Sequence, residues 1–541
     1  MSESSSKFST TGRSRTGEPL VWLTAAGLTV GVLLTLGLLG LVIVKGFESF
    51  WPSRLVVLEV NEATGQSSKV AGYVVQERSR RTLDGSVTDE IQLFRGNGEL
   101  FGEKFVFLDR SSIASETREG DLLLVERLEG GHVIGRPKSL LLASGETLDA
   151  GAANFEEVLD GQIDEGKELR SELREVERIK IGENSKRMKE LRWLEKLEGS
   201  SNERVTELAE LQSEFEILDA ERRVIREKLE ESTFVVEAVD GREIQIKTGD
   251  LLHIFEPNQA GFFGRLGETI RRAWNFVSMD PREANTEGGV YPAIFGTVVM
   301  TLVMSIFVTP FGVIAAIYLR EYAKQGPLVK AVRISVNNLA GVPSIVFGVF
   351  GLAFFIYFLG GVVDDWFFAD SEEPVFKSGG ILWASLTLAL LTVPVVIVAT
   401  EEALASVPRG VREAALACGA SKWQAIQRVV LPASLPGILT GVILAMARGA
   451  GEVAPLMLVG VVKSAPDLPI DGVAPFVHPE RQFMHLGFHI YDLGFQSPDS
   501  DAARPMVFAT TLLLISIVVV MNLAAIMVRN RLRKKYAVSS F

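Results

Sequence analysis

Residues 413–432 read EAALACGASKWQAIQRVVLP. The stretch opens on Glu413-Ala414-Ala415, reaches Gly419 three residues later, and after nine more closes on Val429-x-Leu431-Pro432. Ala414, Ala415 and Ala417 give a helix a slim face that can seat in a groove on another protein. Gly419 permits positive φ, and so a tight reversal. Leu431-Pro432 then restarts the chain. Two short helices joined by such a turn form a compact knob, stiff enough to transmit motion. Upstream, Glu401–Cys418 is helix-compatible, and Pro408 is suited to opening its second part.

On either side of this knob the chain becomes apolar. A bilayer core needs about 20 apolar residues in a helix. Six runs in the 541 residues meet that length: Leu20–Val44, Ala293–Tyr318, Val342–Gly360, Ile381–Thr400, Ser434–Val461 and Met506–Val528. The first is too long for the core of a signal peptide and lacks a clear small-residue cleavage site, so it reads as a retained anchor. Lys and Arg gather on short cytoplasmic flanks. Here they gather at Lys7, Arg13 and Arg15, after span two (Arg320, Lys324, Lys330, Arg333), after span four (Arg409, Arg412, Lys422, Arg428) and from Arg529 to Lys535. The knob and both termini are thus expected in the cytoplasm, as a tail at 1–19 and another at 531–541. Span one (20–44) is followed by an extracytoplasmic insert at 45–290, and the remaining spans fill 291–530.

The insert has its own pattern. Within 54–150, Arg54–Val60, Lys69–Gln76, Asp89–Phe94, Lys104–Phe107 and Asp121–Glu126 read as short strands. More strands are expected over 233–256, where Asp240-Gly241 predicts a two-residue hairpin turn with positive φ at both positions. Between them, 155–231 is charged and helical. Leu208, Leu211, Phe215, Leu218, Arg222, Ile225 and Leu229 keep the 3,4 spacing of a coiled-coil seam. Gly199 to Asn202 is a natural reversal, with Asn202 as N-cap. An antiparallel helical hairpin on a β-rich domain is the reading, with a single oligomerising coiled coil as the alternative. Residues 262–277 alternate Phe262, Phe263, Leu266, Ile270, Trp274 and Val277 with Arg265, Arg271 and Arg272. They predict an amphipathic helix, lying either along the outer membrane face or against the insert.

The net charge of −12 sits largely in the acidic helical stretch, and no broad basic face suits nucleic acid. One cysteine, Cys418, excludes an internal disulfide framework and a Cys-rich zinc site. His485 and His489 stand four apart without a Glu between them, and read as a loop pair without a metal. No Gly-x-x-x-x-Gly-Lys-[Ser/Thr] occurs. The nearest string, Gly130 to Arg136, runs into Pro137 and lacks the phosphate-contacting Lys. The chain therefore reads as non-enzymatic by itself, without a cofactor of its own.

The 413–432 pattern resembles the EAA motif of ATP-binding cassette (ABC) importer permeases, with Val429 in place of Ile. Three further runs resemble phosphate permeases: Val411–Trp423, Leu339–Gly348 and Arg448–Pro455. The Ala454-Pro455 ending is closer to the PstA family than to its partner subunit PstC. The resemblance covers roughly residues 288–530 and leaves the insert outside. It implies a type I importer permease fold of six helices in the inner membrane. It also implies a separate PstB-type ATPase dimer that uses ATP and grips Glu413, Ala414, Ala415, Gly419, Leu431 and Pro432. A PstC-type second permease and a PstS-type phosphate-binding protein complete the implied partners, with lipid around the spans.

Arg448 and Glu452 are four residues apart and would share a helix face. A charge in mid-bilayer costs on the order of 3 kcal/mol, so such residues usually face a bundle interior or a watery path. Gly449, Gly451 and Pro455 suggest a broken or tightly packed helix around them, as where transporters form sites. By the resemblance, Arg448 draws phosphate along the path and Glu452 tunes its field. A structural Arg–Glu pair is the alternative. Two rivals remain for the whole chain: a permease for another oxyanion, and a membrane-anchored signalling or scaffold protein working through its coiled-coil insert.

Overall fold

Span four shows how the membrane body is built. Its small residues Ala384, Ser385, Thr387, Ala389 and Thr392 are buried. Their size lets neighbouring helices approach closely. The hydroxyls of Ser385, Thr387 and Thr392 donate back to the carbonyls of Ile381, Trp383 and Leu388 at 2.7–2.8 Å, so these three are not stranded. Met300 and Met304, Ile356, Trp383 and Leu388, and Val442 and Ala445 form one core drawn from spans two to five.

The computed structural model describes residues 19–61, 67–81, 87–369, 371, 373–465, 467–472, 475–497 and 499–536. The basic flank of Lys7, Arg13 and Arg15 lies outside them. Among the described residues, six helices are long and apolar enough to cross a membrane: Trp22–Glu48, Tyr291–Tyr322, Ser344–Phe367, Ile381–Ala405, Lys422–Gly449 and Ser500–Lys534. Span one is peripheral and touches span six, where Gly46 lies against Leu512 and Phe508.

Most spans run past the predicted ends, because amphipathic and charged turns continue the helices beyond the apolar runs. Span five differs in kind. The expected Ser434–Val461 is replaced by a helix that grows directly out of the knob and stops at Gly449. Residues 450–455 leave the helix, and Leu456–Val459 forms one short turn. The apolar count ran on through Gly449, Gly451 and Pro455, which interrupt the backbone without interrupting hydrophobicity.

The insert joins spans one and two. One antiparallel sheet has the order β4-β3-β2-β1-β5, from Val56–Asn61 (β1), Ser67–Arg81 (β2), Val87–Phe94 (β3), Phe105–Asp109 (β4) and Ile113–Thr117 (β5). A second has the order β10-β9-β7-β6-β11, from Leu123–Arg127 (β6), Val133–Leu141 (β7), Thr233–Glu237 (β9), Glu243–Lys247 (β10) and Leu251–Phe255 (β11). Thr147–Asp149 (β8) pairs with β7. The sequence reading missed β5, β7 and β8: β5 and β7 carry Ser, Glu, Arg or Lys among their apolar residues, and β8 is only the three residues Thr147–Asp149. At Asp240-Gly241 only Gly241 is left-handed, with φ 84°. Ala238 donates to Arg242, so three residues form the loop, not two, and a single left-handed glycine suffices.

Between β8 and β9 two helical arms reverse at Gly199, whose φ is 85°. The first arm is Phe155–Glu175, a wider turn at Val176–Lys180 and Ile181–Glu198; the second is Asn202–Glu231. The arms lie side by side. Arg187 meets Glu207 at 2.7 Å, Asn184 donates to the Leu211 carbonyl, and Arg226 meets Glu177. The residue before the second arm is Ser201, so Asn202 is its first helical residue and not its cap.

A short ribbon, Pro281–Arg282 (β12) with Glu287–Gly288 (β13), ties insert to permease. On the insert side, Arg282 binds Glu126 at 2.7 Å, and Lys104 binds Glu283 and Glu287 at 3.2 and 3.7 Å. On the permease side, Asn285 donates to the Lys463 carbonyl and the Asp492 carboxylate. Glu283, Ala284 and Asn285 all have positive φ, at 45°, 52° and 72°. Left-handed backbone costs an L-residue about 1–2 kcal/mol, and here the contacts on both sides hold it.

Candidate coupling knob and translocation site

The knob begins where span four ends. Pro408 caps the helix Arg409–Ala417, separating it from span four, which ends at Ala405; the second part of the helical stretch over Glu401–Cys418 thus opens at Pro408, as expected. Gly419 takes φ 83°, and no atom crowds the place of a Cβ, so its requirement is conformational and not steric. Ser421 then starts the second helix with a capping box. Its hydroxyl accepts from the Gln424 amide, and its own amide donates to the Gln424 side chain at 2.9 Å.

Below the turn, Ile317, Leu404, Val407, Ile426 and Val430 form a buried base, with Val411 and Leu431 against it. Ion pairs fix that base to the spans. Arg412 bonds Glu321 at 3.3 Å and the Leu404 carbonyl; Lys422 donates to the Glu321 carbonyl and lies over the Tyr322 ring. Above, Glu413, Ala414, Leu416, Ala417, Cys418, Gly419 and Trp423 are exposed, while Ala415, Leu431 and Pro432 are half-buried. The knob thus leaves a small cap exposed and grips spans two, four and five from beneath. Glu321 is the member that sequence reading missed. It lies 92 residues before Glu413 in the chain, and only folding brings it under Arg412.

At the other end of span five, Arg448 Nε stands 3.5 Å from Glu452 Oε1. Both are part-buried, with side chains 35% and 20% exposed. Arg448 ends the helix and Glu452 lies beyond it, so they meet across the break and not along one helix face. Glycines seat this break closely: Gly449 lies against Met304 of span two, and Gly348 of span three against Pro455.

A buried platform lies beside the break. Leu486 donates to the Thr297 hydroxyl at 2.9 Å, and Gly487 packs against Val453. His485 Nδ1 accepts from the amides of Gly487 and Phe488, capping the helix Leu486–Tyr491. His485 and His489 are therefore buried at a helix start, not paired in an open loop. Asp492 is buried as well and meets Lys463 at 3.2 Å. No metal-ligand cluster forms among the described residues.

Six spans, a knob standing on one end of them and a broken fifth span carrying an ion pair define a membrane permease subunit. Residues 308–534 match the family of binding-protein-dependent transport system inner membrane components. The phosphate transport system permease protein PstA 1 of Mycobacterium tuberculosis is 36% identical over 252 residues, 45% of this chain and 71% of that protein. PstA of Mycobacterium leprae is 43% identical over 178 residues, 33% of this chain and 53% of that protein. The chain thus spans about half to seven tenths of the length of these relatives, and the insert accounts for much of what lies outside the match. The chain belongs to the PstA-type permease family. Among solved structures, the MetNI methionine ABC transporter in an inward-facing form covers 44% of this chain and 94% of that one, at 20% identity and a TM-score of 0.33. The family assignment rests on sequence.

Proposed function

We propose that this chain is one of two permease subunits of an ABC importer for inorganic phosphate, with its knob and termini in the cytoplasm. The break at 449–455 carries the reading: a charged pair sits where the helix is interrupted and glycines admit close packing. Arg448 stays charged and donates in a fork, which suits a tetrahedral oxyanion. Glu452 competes for the same guanidinium and so favours release. ATP hydrolysis takes place in a separate ATPase dimer, which seats on Ala414, Ala417 and the turn at Gly419. Closure of that dimer moves the knob, and the base at Arg412–Glu321 passes the motion to spans two, four and five. A second permease lines the other half of the path, and an external binding protein delivers phosphate.

The test is radiolabelled phosphate uptake in vesicles holding the chain with its ATPase, second permease and binding protein. Arg448→Gln should abolish uptake while co-purification with the ATPase is unchanged. Normal uptake by that variant would remove Arg448 from the path. Competition by sulfate or molybdate as strong as by phosphate would reassign the substrate to another oxyanion.

A further inference from the structure

The helix Phe262–Ser278 has its faces reversed relative to a helix packed on a soluble domain. Phe262, Phe263, Ile270 and Trp274 are 63–84% exposed, and Leu266 is partly so. At 100° per residue these five occupy one third of the helix circumference. The charged residues point the other way, into the protein. Glu268 is buried and accepts from Arg271, Arg272 and His253 of β11 at 2.7–3.1 Å. Arg271 reaches Glu126 of β6 at 3.2 Å, and Arg265 donates to the Pro52 carbonyl and lies over Trp51. The charges are therefore turned inward, and the apolar stripe is left outside.

The position of the helix identifies what covers that stripe. Phe276 meets Phe50 edge to face at 5.3 Å and Phe262 lies 6.0 Å from Trp51, both just past the end of span one at Glu48. The Phe276 carbonyl also accepts from Val290, and Tyr291 opens span two. The helix thus lies against the end of span one, with its last turn also bonded to the residue that precedes span two. Apolar residues at those span ends, Phe47 and Tyr291, are exposed as well. A stripe of this size in water is an interaction surface and not chance exposure.

We propose that residues 262–278 lie in the headgroup–acyl boundary of the bilayer, with Phe263, Ile270 and Trp274 in lipid. This goes beyond the transport reading, and holds whatever the substrate is. The consequence is mechanical. Through Glu268 and Arg271 the helix is bound to β11 and β6, so the bilayer sets the height and tilt of the insert.

Two measurements on the full-length chain test this in vesicles of phosphatidylethanolamine and phosphatidylglycerol. In the unmodified chain, a phospholipid with a photoactivatable carbene precursor in its acyl chain should label the peptide covering 262–278. In a Cys418→Ser background, spin labels at Phe263→Cys and Ile270→Cys should collide more with oxygen than with a water-soluble nickel chelate. A label at Ile217→Cys on the hairpin should show the reverse. An unlabelled 262–278 peptide, with nickel collisions at 263 and 270 equal to those at 217, would overturn the proposal. Low collision with both reagents would also overturn it, and would mean that protein covers the stripe.

Discussion

The two ends of the membrane helices are held in opposite ways. The knob at 413–432 rests on an apolar base and leaves its cap open. The joint at 279–289 and the helix before it bury charges, each engaged by another. Under the proposed function, the difference suits the task of each end. A surface that a motor must grip and release needs an open apolar cap on a rigid seat. A domain that must not drift needs contacts that fail abruptly if one partner is lost, because a buried charge left alone is costly.

The sharpest way to break this contrast is Glu268→Leu. It leaves Arg271, Arg272 and His253 facing a side chain that cannot accept, and should cost about 3–5 kcal/mol. The loss is read as a lower midpoint in thermal unfolding and faster hydrogen exchange across 251–278. An unchanged midpoint would show that this buried cluster does not hold the insert.

At the knob, Gly419→Pro should behave differently. Proline cannot adopt φ 83° and removes the amide that donates to Leu416. The turn should reshape while the spans remain folded, uncoupling ATP hydrolysis from uptake in the assembled importer. Glu413→Lys should act in the same direction through the exposed cap. Unchanged coupling ratios in both variants would discredit the docking role.

A smaller effect separates the ends by pH. Burial disfavours protonated His132, but the carboxylates of Glu287 and Glu126 outweigh this and hold its pKa above the usual 6.5. Burial likewise opposes charge on Glu287, yet His132, Lys104 and Arg282 pull its pKa down to about 2. The His132 contribution is full below pH 6.5 and fades as pH rises through its raised value. The Glu287 contribution is full above pH 4.5 and fades only as pH falls through about 2. The joint should therefore be tightest between roughly pH 4.5 and 6.5. Hydrogen exchange at 279–289 should quicken from pH 6 to pH 9 after correction for intrinsic rates, and His132→Gln should flatten that trend. The smallest effect is expected for Arg187→Ala on the hairpin. Its pairs with Glu207 and Glu190 are solvent-exposed, so the loss should stay below about 1 kcal/mol in the same unfolding assay.

How much was legible in the chain follows the same division. The knob could be read directly, because its signals are local: alanines within one helix, a glycine at a reversal, a proline at a restart. Of the seven residues read as a seam, Leu218 and Ile225 are buried and the other five half-buried. The strands β5, β7 and β8 were not, since their pairing across the sheet, not their own apolar pattern, makes them strands. The end of span five was misplaced because hydropathy does not register a broken backbone. Lys463, Asp492 and Asn285 gave no signal at all. A lone Lys, Asp or Asn in a loop becomes informative only when the fold brings the three within hydrogen-bond distance.

The sequence by itself determined that this chain has six membrane-spanning stretches, a separate insert between the first two and a turn-linked helical knob between the fourth and fifth. Each of those rests on residues near one another in the chain, where periodicity and turn chemistry act. Gly449, Gly451 and Pro455 pointed to a broken or tightly packed helix, but only the tertiary structure placed the break between Arg448 and Glu452 and decided that the amphipathic helix turns its charges inward. Those outcomes depend on which distant groups arrive to satisfy a charge or fill a gap, and no local pattern encodes the arrival.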